Sequence, residues 1–481
     1  MAHPHHSHGF HGPLVWLIAA VAGALLGTVL TYVAPPPIDA AGIAVVPVWL
    51  VAPFALLLLS IAVMPLLRPR IWHDHFPDFA FFFGSVVVAY YLISFRAPGH
   101  GTSMPHGAYV MLHAALEYFG FMALVGGLYI VSGGIVVRVN TRGRPAVNAT
   151  LLLIGAVLAN IVGTTGASML LIRPFMRINK GRLHPLHIVM FIFIVSNCGG
   201  ALTPVGDPPL YLGFLKGVPF AWNMQHMLDN WLLVNGSLLA VFTLIDSRLP
   251  SSTDRRQIHR GQPIVQVIGG TGLVCLGLMI VGVFIDPALT QFAGIHAGGG
   301  GWPIGAAFQT CVAIYALKKS QPSVYRANRF TFFPVKEVGI LFLGIFAAMM
   351  PALEYLSAQG PKLGITTPTS FYFATGGLSA LLDNAPTYLN FLQIAMAPDP
   401  VTRDAIKALI DTPVGIGKLD AISTGAVFFG AMTYIGNGPN FMVKSIAESS
   451  GVKMPGFFAY LLWACVLLLP ILVLNWFVLI R

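Results

Sequence analysis

The stretch Ser196–Phe214 reads SNCGGALTPVGDPPLYLGF. The run around it is mostly Leu, Val, Ile and Phe. A helix that only crosses lipid has no use for three prolines, an asparagine and an aspartate. Proline removes a backbone donor and crowds the preceding turn, and glycine leaves helical geometry cheaply. The stretch therefore predicts a helix that unwinds near Gly199–Pro209. Unwound backbone is costly in hydrocarbon because its N–H and C=O groups need partners. It persists where it lines a cavity or holds a ligand.

Composition says why the surroundings are lipid-soluble. Of 481 residues, 56% are hydrophobic and 9% are charged, and the mean hydropathy is +0.77. Soluble domains carry about 25% charge. An all-α polytopic membrane protein is expected. The net charge of +10 reflects basic loops and is no nucleic-acid signal. Cys198, Cys275, Cys311 and Cys465 stand in separate apolar segments, which excludes a disulfide framework or a zinc site. The start, MAHPHHSHGFHG, has no basic residue and no cleavage pattern, so no secretory leader is expected. Its histidines (His3, His5, His6, His8, His11) read as a solvated tail.

A crossing needs about 20 apolar residues. Such runs fall at 13–33, 43–67, 77–95, 107–137, 148–175, 186–215, 227–247, 264–285, 302–317, 333–357, 368–397, 421–446 and 455–480. The polar connection RLPSSTDRRQIHRGQ, 248–262, divides the chain near its middle. The expected organisation is a tail and first helix (1–42), a first repeat (43–247), a cytoplasmic linker (248–262) and a second repeat (263–481). Suppose 148–175 and 368–397 are re-entrant hairpins and the other eleven segments cross. Then 20 of the 27 Lys and Arg share one side, among them Arg68, Arg138, Arg173, Arg256, Lys318 and Lys444. The positive-inside rule makes that side the cytoplasm. The N-terminus is then cytoplasmic, the C-terminus outside, and the bacterial inner membrane is the expected location.

The sequence also repeats. TPVGDPP (Thr203–Pro209) recurs as TYIGNGP (Thr433–Pro439). Each follows a hairpin with polar residues in its middle, LANIVGTTG (Leu158–Gly166) and LLDNAPTYL (Leu381–Leu389). Hairpin then broken helix, in both halves and opposite orientations, is the pattern of an inverted-topology repeat.

Half-helix ends and free carbonyls are ion-binding chemistry. The first break offers Ser196, Asn197, Thr203, Gly206 and Asp207, and the second offers Thr433, Gly436 and Asn437. The hairpins offer Asn160, Thr164 and Thr165, then Asp383, Asn384 and Thr387. An intramembrane carboxylate is a functional-site hypothesis by default. Burial disfavours a charged carboxylate and a bound cation favours it, so one Asp can exchange a proton for sodium. Asp207 and Asp383 are the candidate sodium ligands. Each also has a plain structural role open to it: Asp207 as the cap of the following half-helix, Asp383 as a hydrogen-bond acceptor inside its hairpin. Glu117 reads as a proton relay or an interfacial residue. Glu337, Glu354, Asp229 and Asp246 read as interfacial.

The motifs SNCGGALTPVGDPP, LDNAPTYLNF and GNGPNFMV resemble the ion-transporter superfamily over nearly the whole chain, from about residue 40. That group holds NhaD-type sodium/proton antiporters, arsenite carriers, citrate-transporter-like proteins and divalent-anion/sodium symporters. The resemblance implies eleven spans, two opposed hairpins and a homodimer. In the NhaD-type proteins the positions of Asn197, Asp207, Asp383 and Asn384 carry cation and proton binding. The chain departs from them at Ala159–Asn160, where they have Asp–Asn, and at Pro208–Pro209; GDPP is closer to the anion carriers.

The leading expectation is a secondary sodium/proton antiporter with Asp207 and Asp383 alternately protonated and sodium-bound. The alternative is a sodium- or proton-coupled carrier of citrate, dicarboxylate or another small anion. It would use Asn160, Thr164, Thr165, Asn384, Thr387 and Asn437 for the anion. No Lys or Arg lies in a hairpin tip or break, which favours cations. There is no HExxH, GxSxG or Walker A pattern, so an enzyme or an ATP-driven pump is not expected. No cofactor is expected beyond transported or coupling Na⁺ and H⁺.

Overall fold

A computed structural model describes residues 12–38, 44–97, 103–249, 263–293, 303–399 and 401–481. The histidine tail and residues 250–262 of the polar connection lie outside the described residues. The order along the chain is α1 (Pro13–Val33), α2 (Ala52–Leu67), α3 (Pro69–Ser94), α4 (His106–Gly133), β1 (Val136–Val139), α5 (Pro145–Ile178), α6 (Pro185–Ile194), α7 (Pro208–Lys216), α8 (Trp222–Arg248), β2 (Val265–Ile268), α9 (Gly270–Ala293) and α10 (Ile304–Lys319). Then come α11 (Pro322–Ala327), α12 (Phe333–Ala348), α13 (Met350–Gln359), α14 (Pro368–Leu381), α15 (Asn384–Met396), α16 (Arg403–Ile410), α17 (Pro413–Phe429), α18 (Gly438–Ser449), α19 (Phe457–Leu467) and α20 (Leu469–Asn475). Each of the thirteen apolar runs overlaps at least one of these helices. Among the described residues, eight helices are long and apolar enough to cross a membrane, or up to ten if each of two bent pairs counts as one span. The pairs are α12 with α13, bent by 43°, and α19 with the helical stretch Leu469–Ile480, bent by 40°. The protein is an all-α polytopic membrane protein. Among the described residues a small antiparallel pair, β1–β2, sets Val136 opposite Ile268.

The helices pack as two units. One holds the chain up to Tyr118 together with Lys336–Ala358. Within it, Gly23 and Gly27 lie four residues apart on one face of α1. A side chain on either would meet the backbone carbonyls of Phe82 or Val86 on α3. Small residues at that spacing let two helices touch by backbone, which is how apolar helices associate without a hydrophobic drive. Glu354 of α13 pairs with His106 at the start of α4, 3.3 Å away.

The second unit holds Phe119–Val335 and Gln359–Arg481. Here α5, which passes a length test for a crossing, is a hairpin. Gly163 has φ 77° and ψ 155°, a conformation only glycine adopts without strain. The chain reverses there. Asn148 and Asn179 would stand about 46 Å apart on a straight helix, yet they exchange side-chain hydrogen bonds of 2.9 and 2.8 Å. Buried charge anchors these two feet. Asp246, expected at the interface, is fully buried at the end of α8. It accepts from Asn148 Nδ2 (2.8 Å) and from the Arg182 guanidinium (2.5 Å), and His187 Nε2 is 2.9 Å away. A carboxylate leaves water only where such partners replace it. Asp229, about two turns into α8, is exposed.

The second hairpin is α14 and α15, joined by Leu382 and Asp383. Phe371 and Phe391, on opposite arms, meet edge to face at 6.5 Å. Both predicted breaks are present. Helix α6 stops at Ile194 and α7 begins at Pro208; α17 stops at Phe429 and α18 begins at Gly438. A short 3₁₀ turn lies within each, Cys198–Leu202 and Gly430–Met432.

Candidate functional site

The two breaks and the two hairpin tips meet at one carboxylate. Asp207 is 1% exposed. Its Oδ1 accepts from Thr164 Oγ1 at the first hairpin tip (2.8 Å) and from Asn437 Nδ2 in the second break (2.9 Å). Its Oδ2 accepts from Asn384 Nδ2 at the second hairpin tip (2.7 Å). Local sequence explains why the carboxylate points there. Asp207 occupies the cap position of α7, but the next two residues are Pro208 and Pro209, which have no N–H to donate. Its side chain makes no capping bond. The cap reading of Asp207 therefore fails in this geometry, and the carboxylate is left for partners from elsewhere. Asp383 behaves in the opposite way. It caps α15 through Ala385 N, 3.0 Å away, and is half-buried.

The unwound backbone is satisfied from inside. Asn160 Nδ2 donates to Gly199 O (2.7 Å), and its Oδ1 accepts from Leu202 N (2.8 Å). Trp231 Nε1 of α8 donates to Gly199 O (2.8 Å) and Asn235 Nδ2 to Cys198 O (3.1 Å). Asn197 Nδ2 donates to Asn440 Oδ1 (2.6 Å), while its Oδ1 accepts from Asn437 Nδ2 (3.1 Å). Ser196 and Ser168 share a hydroxyl bond of 2.8 Å. The amide-rich ring thus fixes the geometry of the breaks without any basic side chain.

The two halves repeat one set of bonds. Thr164 N donates to Gly206 O (2.8 Å), and Asn384 N donates to Gly436 O (3.2 Å). Thr203 Oγ1 donates to Asn160 O (2.6 Å), and Thr433 Oγ1 donates to Ala380 O (2.7 Å). Gly206 and Gly436 are glycine for a common reason: a side chain would run into the carbonyl of Gly200 or Gly430. The bonds match Thr164 with Asn384, and Asn160 with Ala380.

Of the other expected residues, Thr387 is buried, but its hydroxyl donates within its own helix to Asp383 O (2.8 Å). Thr165 is half-buried and, among the described residues, joins none of these bonds. Glu117 is half-buried on α4, in the first unit. Sequence reading missed Asn440, Trp231, Asn235 and Ser168, which hold the breaks. It also missed Asp420 of α17, whose two carboxylate oxygens lie 3.3 and 3.2 Å from Asn230 Nδ2. Asp420 could have been found as an acid inside the apolar run LDAISTGAVFF and Asn440 as the second asparagine of GNGPNFMV; Trp231, Asn235 and Ser168 carry no local signal.

For a hard cation the ring offers oxygen. Asn384 Oδ1 is buried and has no hydrogen-bond partner, although its amide nitrogen is bound to Asp207. Residues 43–480 match the protein family described as "Putative citrate transport". The chain belongs to this family. No curated protein matches it. Membership in this family marks the chain as a multi-pass transport protein.

Proposed function

We propose that the chain is a cation-coupled secondary carrier of small carboxylate anions of the citrate type. One observation carries this reading: a single carboxylate, Asp207, is the shared acceptor of both hairpin tips and the second break. Protonation or sodium binding there changes the one charge that holds the four elements together. The cation would then set which arrangement of hairpins and half-helices is favoured, and cargo would be moved by the exchange. The two halves act as inverted repeats; the paired bonds at Gly206 and Gly436 support this. Asn384, Asn437 and Thr164 are the cation's or cargo's neighbours, and the half-helix ends of α7 and α18 supply positive dipole ends for carboxylate groups. The family supports carboxylate cargo. A homodimer in a bacterial inner membrane, N-terminus cytoplasmic, completes the reading.

Sodium/proton exchange alone is the second reading. The absence of Lys and Arg from both tips and both breaks favours it. Proteoliposomes separate the two. Uptake of labelled citrate and succinate is measured under an inward sodium or proton gradient, beside pyranine fluorescence under sodium pulses without anion. Gradient-driven citrate or succinate accumulation is the expected result. Sodium-driven proton movement with no anion uptake would replace the carrier by the antiporter. A preparation showing neither refutes both.

A further inference from the structure

A second acid lies inside an apolar helix and takes no part in the Asp207 centre. Asp420 stands on α17, about 10 Å along the helix from Pro413. That helix is long and apolar enough to cross a membrane, and a carboxylate in such a run is a functional-site hypothesis by default. Its surroundings are poor for a charge. Asp246 has a guanidinium, an imidazole and an amide around it, and Asp207 accepts from three side chains. The two carboxylate oxygens of Asp420 instead share one donor, Asn230 Nδ2 of α8, at 3.3 and 3.2 Å. Those are the longest distances at which an N–H···O bond counts. Among the described residues, no Lys, Arg or His pairs with Asp420.

Asn230 supplies a second, independent observation. It is 2% exposed, and its Oδ1 is buried without a hydrogen-bond partner. That oxygen belongs to the amide whose nitrogen faces Asp420, so it stands one amide width from the carboxylate. An ionised carboxylate only accepts and has no use for it. A protonated one does: its O–H donates to Asn230 Oδ1 while Asn230 Nδ2 donates to the other carboxyl oxygen. One shared bond becomes a closed pair of bonds, and the orphaned oxygen is satisfied. The neighbours do not neutralise the acid by another route. The titratable residues of α14 and α15 are the phenols Tyr372 and Tyr388, and phenols are uncharged near neutral pH. On α8, His226 bonds Trp222 O (2.9 Å) and Asp229 is exposed. On α17 itself, Lys418 lies over the Phe371 ring, 5.7 Å from its centre. The charged side chains of α16 are exposed, and α7 brings Tyr211 and a half-buried Lys216.

We propose that Asp420 and Asn230 form a proton-binding site, separate from the Asp207 centre, at the junction of α8 and α17. The proton comes from water, forms the O–H bond on Asp420 and cancels its charge; no other covalent bond changes. The junction is placed to matter. Trp231, the residue after Asn230, donates to Gly199 O in the first break (2.8 Å), and α17 runs directly into the second break at Gly430. The site does not rest on the carrier reading given above.

The test uses the purified full chain in detergent and reads protonated carboxyl groups directly, by infrared difference spectra between buffers of low and high pH. Carboxyl groups in proteins release their protons over a wide range, so about pH 4 to 10 is covered. The variants are D420N, N230A and D207N. In D420N two amides face each other and bond as donor and acceptor, so the variant is expected to fold, and its thermal midpoint checks this. The native chain should show a protonated-carboxyl band that D420N lacks and D207N keeps. In N230A the acid loses its amide partner, so the same band should move to higher frequency, as it does for a carbonyl that accepts fewer bonds. Identical spectra from the native chain and D420N across the range overturn the proposal. So does an Asp420-dependent signal that follows sodium at fixed pH and not pH itself, which would make the site one for a metal cation. Should D420N fail to fold, N230A decides: a native spectrum whose carboxyl bands N230A leaves unmoved refutes the pair. Transport plays no part in these measurements, so an inactive preparation refutes the carrier reading and leaves the proton site standing or falling on its spectra.

Discussion

Replacing Asp207 by Asn or by Ala separates charge from shape at the centre. The native carboxylate accepts three side-chain bonds, from Thr164, Asn437 and Asn384. In D207N the new amide oxygen still accepts from Thr164 and Asn437. Its nitrogen faces Asn384 Nδ2, a donor against a donor at 2.7 Å in the native chain. Asn384 resolves the conflict by turning its amide over, because its Oδ1 has no other partner to lose. The three bonds fall from charge-assisted to neutral strength, at about 1 kcal/mol each. Removing a buried charge returns several kcal/mol of desolvation cost, so the net change is within about 2 kcal/mol. In D207A the Thr164 and Asn384 donors keep their burial and lose their acceptor, while Asn437 Nδ2 keeps Asn197 Oδ1; the two orphaned donors cost about 2–6 kcal/mol. The assay pairs the thermal midpoint in detergent with cation-driven transport in vesicles. D207N should be stable and inactive, and D207A should be unstable. Full transport by D207N would show that the charge is not the coupling element. D207A as stable as the native chain would show that these bonds do not hold the tips and breaks together.

Two further outcomes test the same architecture. Gly163→Ala forces a side chain into φ 77°, ψ 155°; the strain of about 1–3 kcal/mol should lower the thermal midpoint and slow transport together, and an unchanged midpoint would mean that the hairpin does not need its glycine hinge. The double variant D207N/N437D moves the carboxylate across the pair of matched positions; it should recover part of the cation dependence lost in D207N, and no recovery alongside intact folding would count against equivalent halves.

Much of the fold could be read in advance because lipid is an exacting solvent. Proline, glycine and carboxylate are expensive inside an apolar run, so GGALTPVGDPP and LLDNAPTYL announce a break and a hairpin without any tertiary information. Gly163 was harder. It stands inside LANIVGTTG, and a 34-residue helix by length is indistinguishable from a crossing; the basic cluster after it argued for a hairpin, and the Asn148–Asn179 bonds bear that out. The partners of Asp207 could be named one by one, but not their arrangement. Thr164, Asn384 and Asn437 come from points up to 230 residues away, and no local pattern states that they share one acceptor. The same distance hid the partner of Asn440, because only the fold puts Asn197 beside it. The surroundings of Asp246 were out of reach for a simpler reason: only the fold brings Arg182, His187 and Asn148 around it.

The asymmetry of the two breaks is the most informative feature of the site. Both have Thr, Gly and a polar residue at matching positions, and both hairpins donate a backbone N–H to the glycine carbonyl. A structural motif that merely had to survive in lipid would be as well served by two asparagines. Instead one break carries Asp207 and the other Asn437, and the amide donates to the acid. Two carboxylates at that separation could not both be ionised, and would share a proton between them. Two amides would hold the elements together but could not change charge. One of each gives a centre whose hydrogen bonds persist as amide-to-carboxyl contacts while a single proton or cation is taken up or released. Coupling needs a charge that can change and a scaffold that stays assembled when it does. On the proposed carrier reading, the Asp207–Asn437 pair would supply the first at one position, and the matched bonds of Gly206 and Gly436 the second.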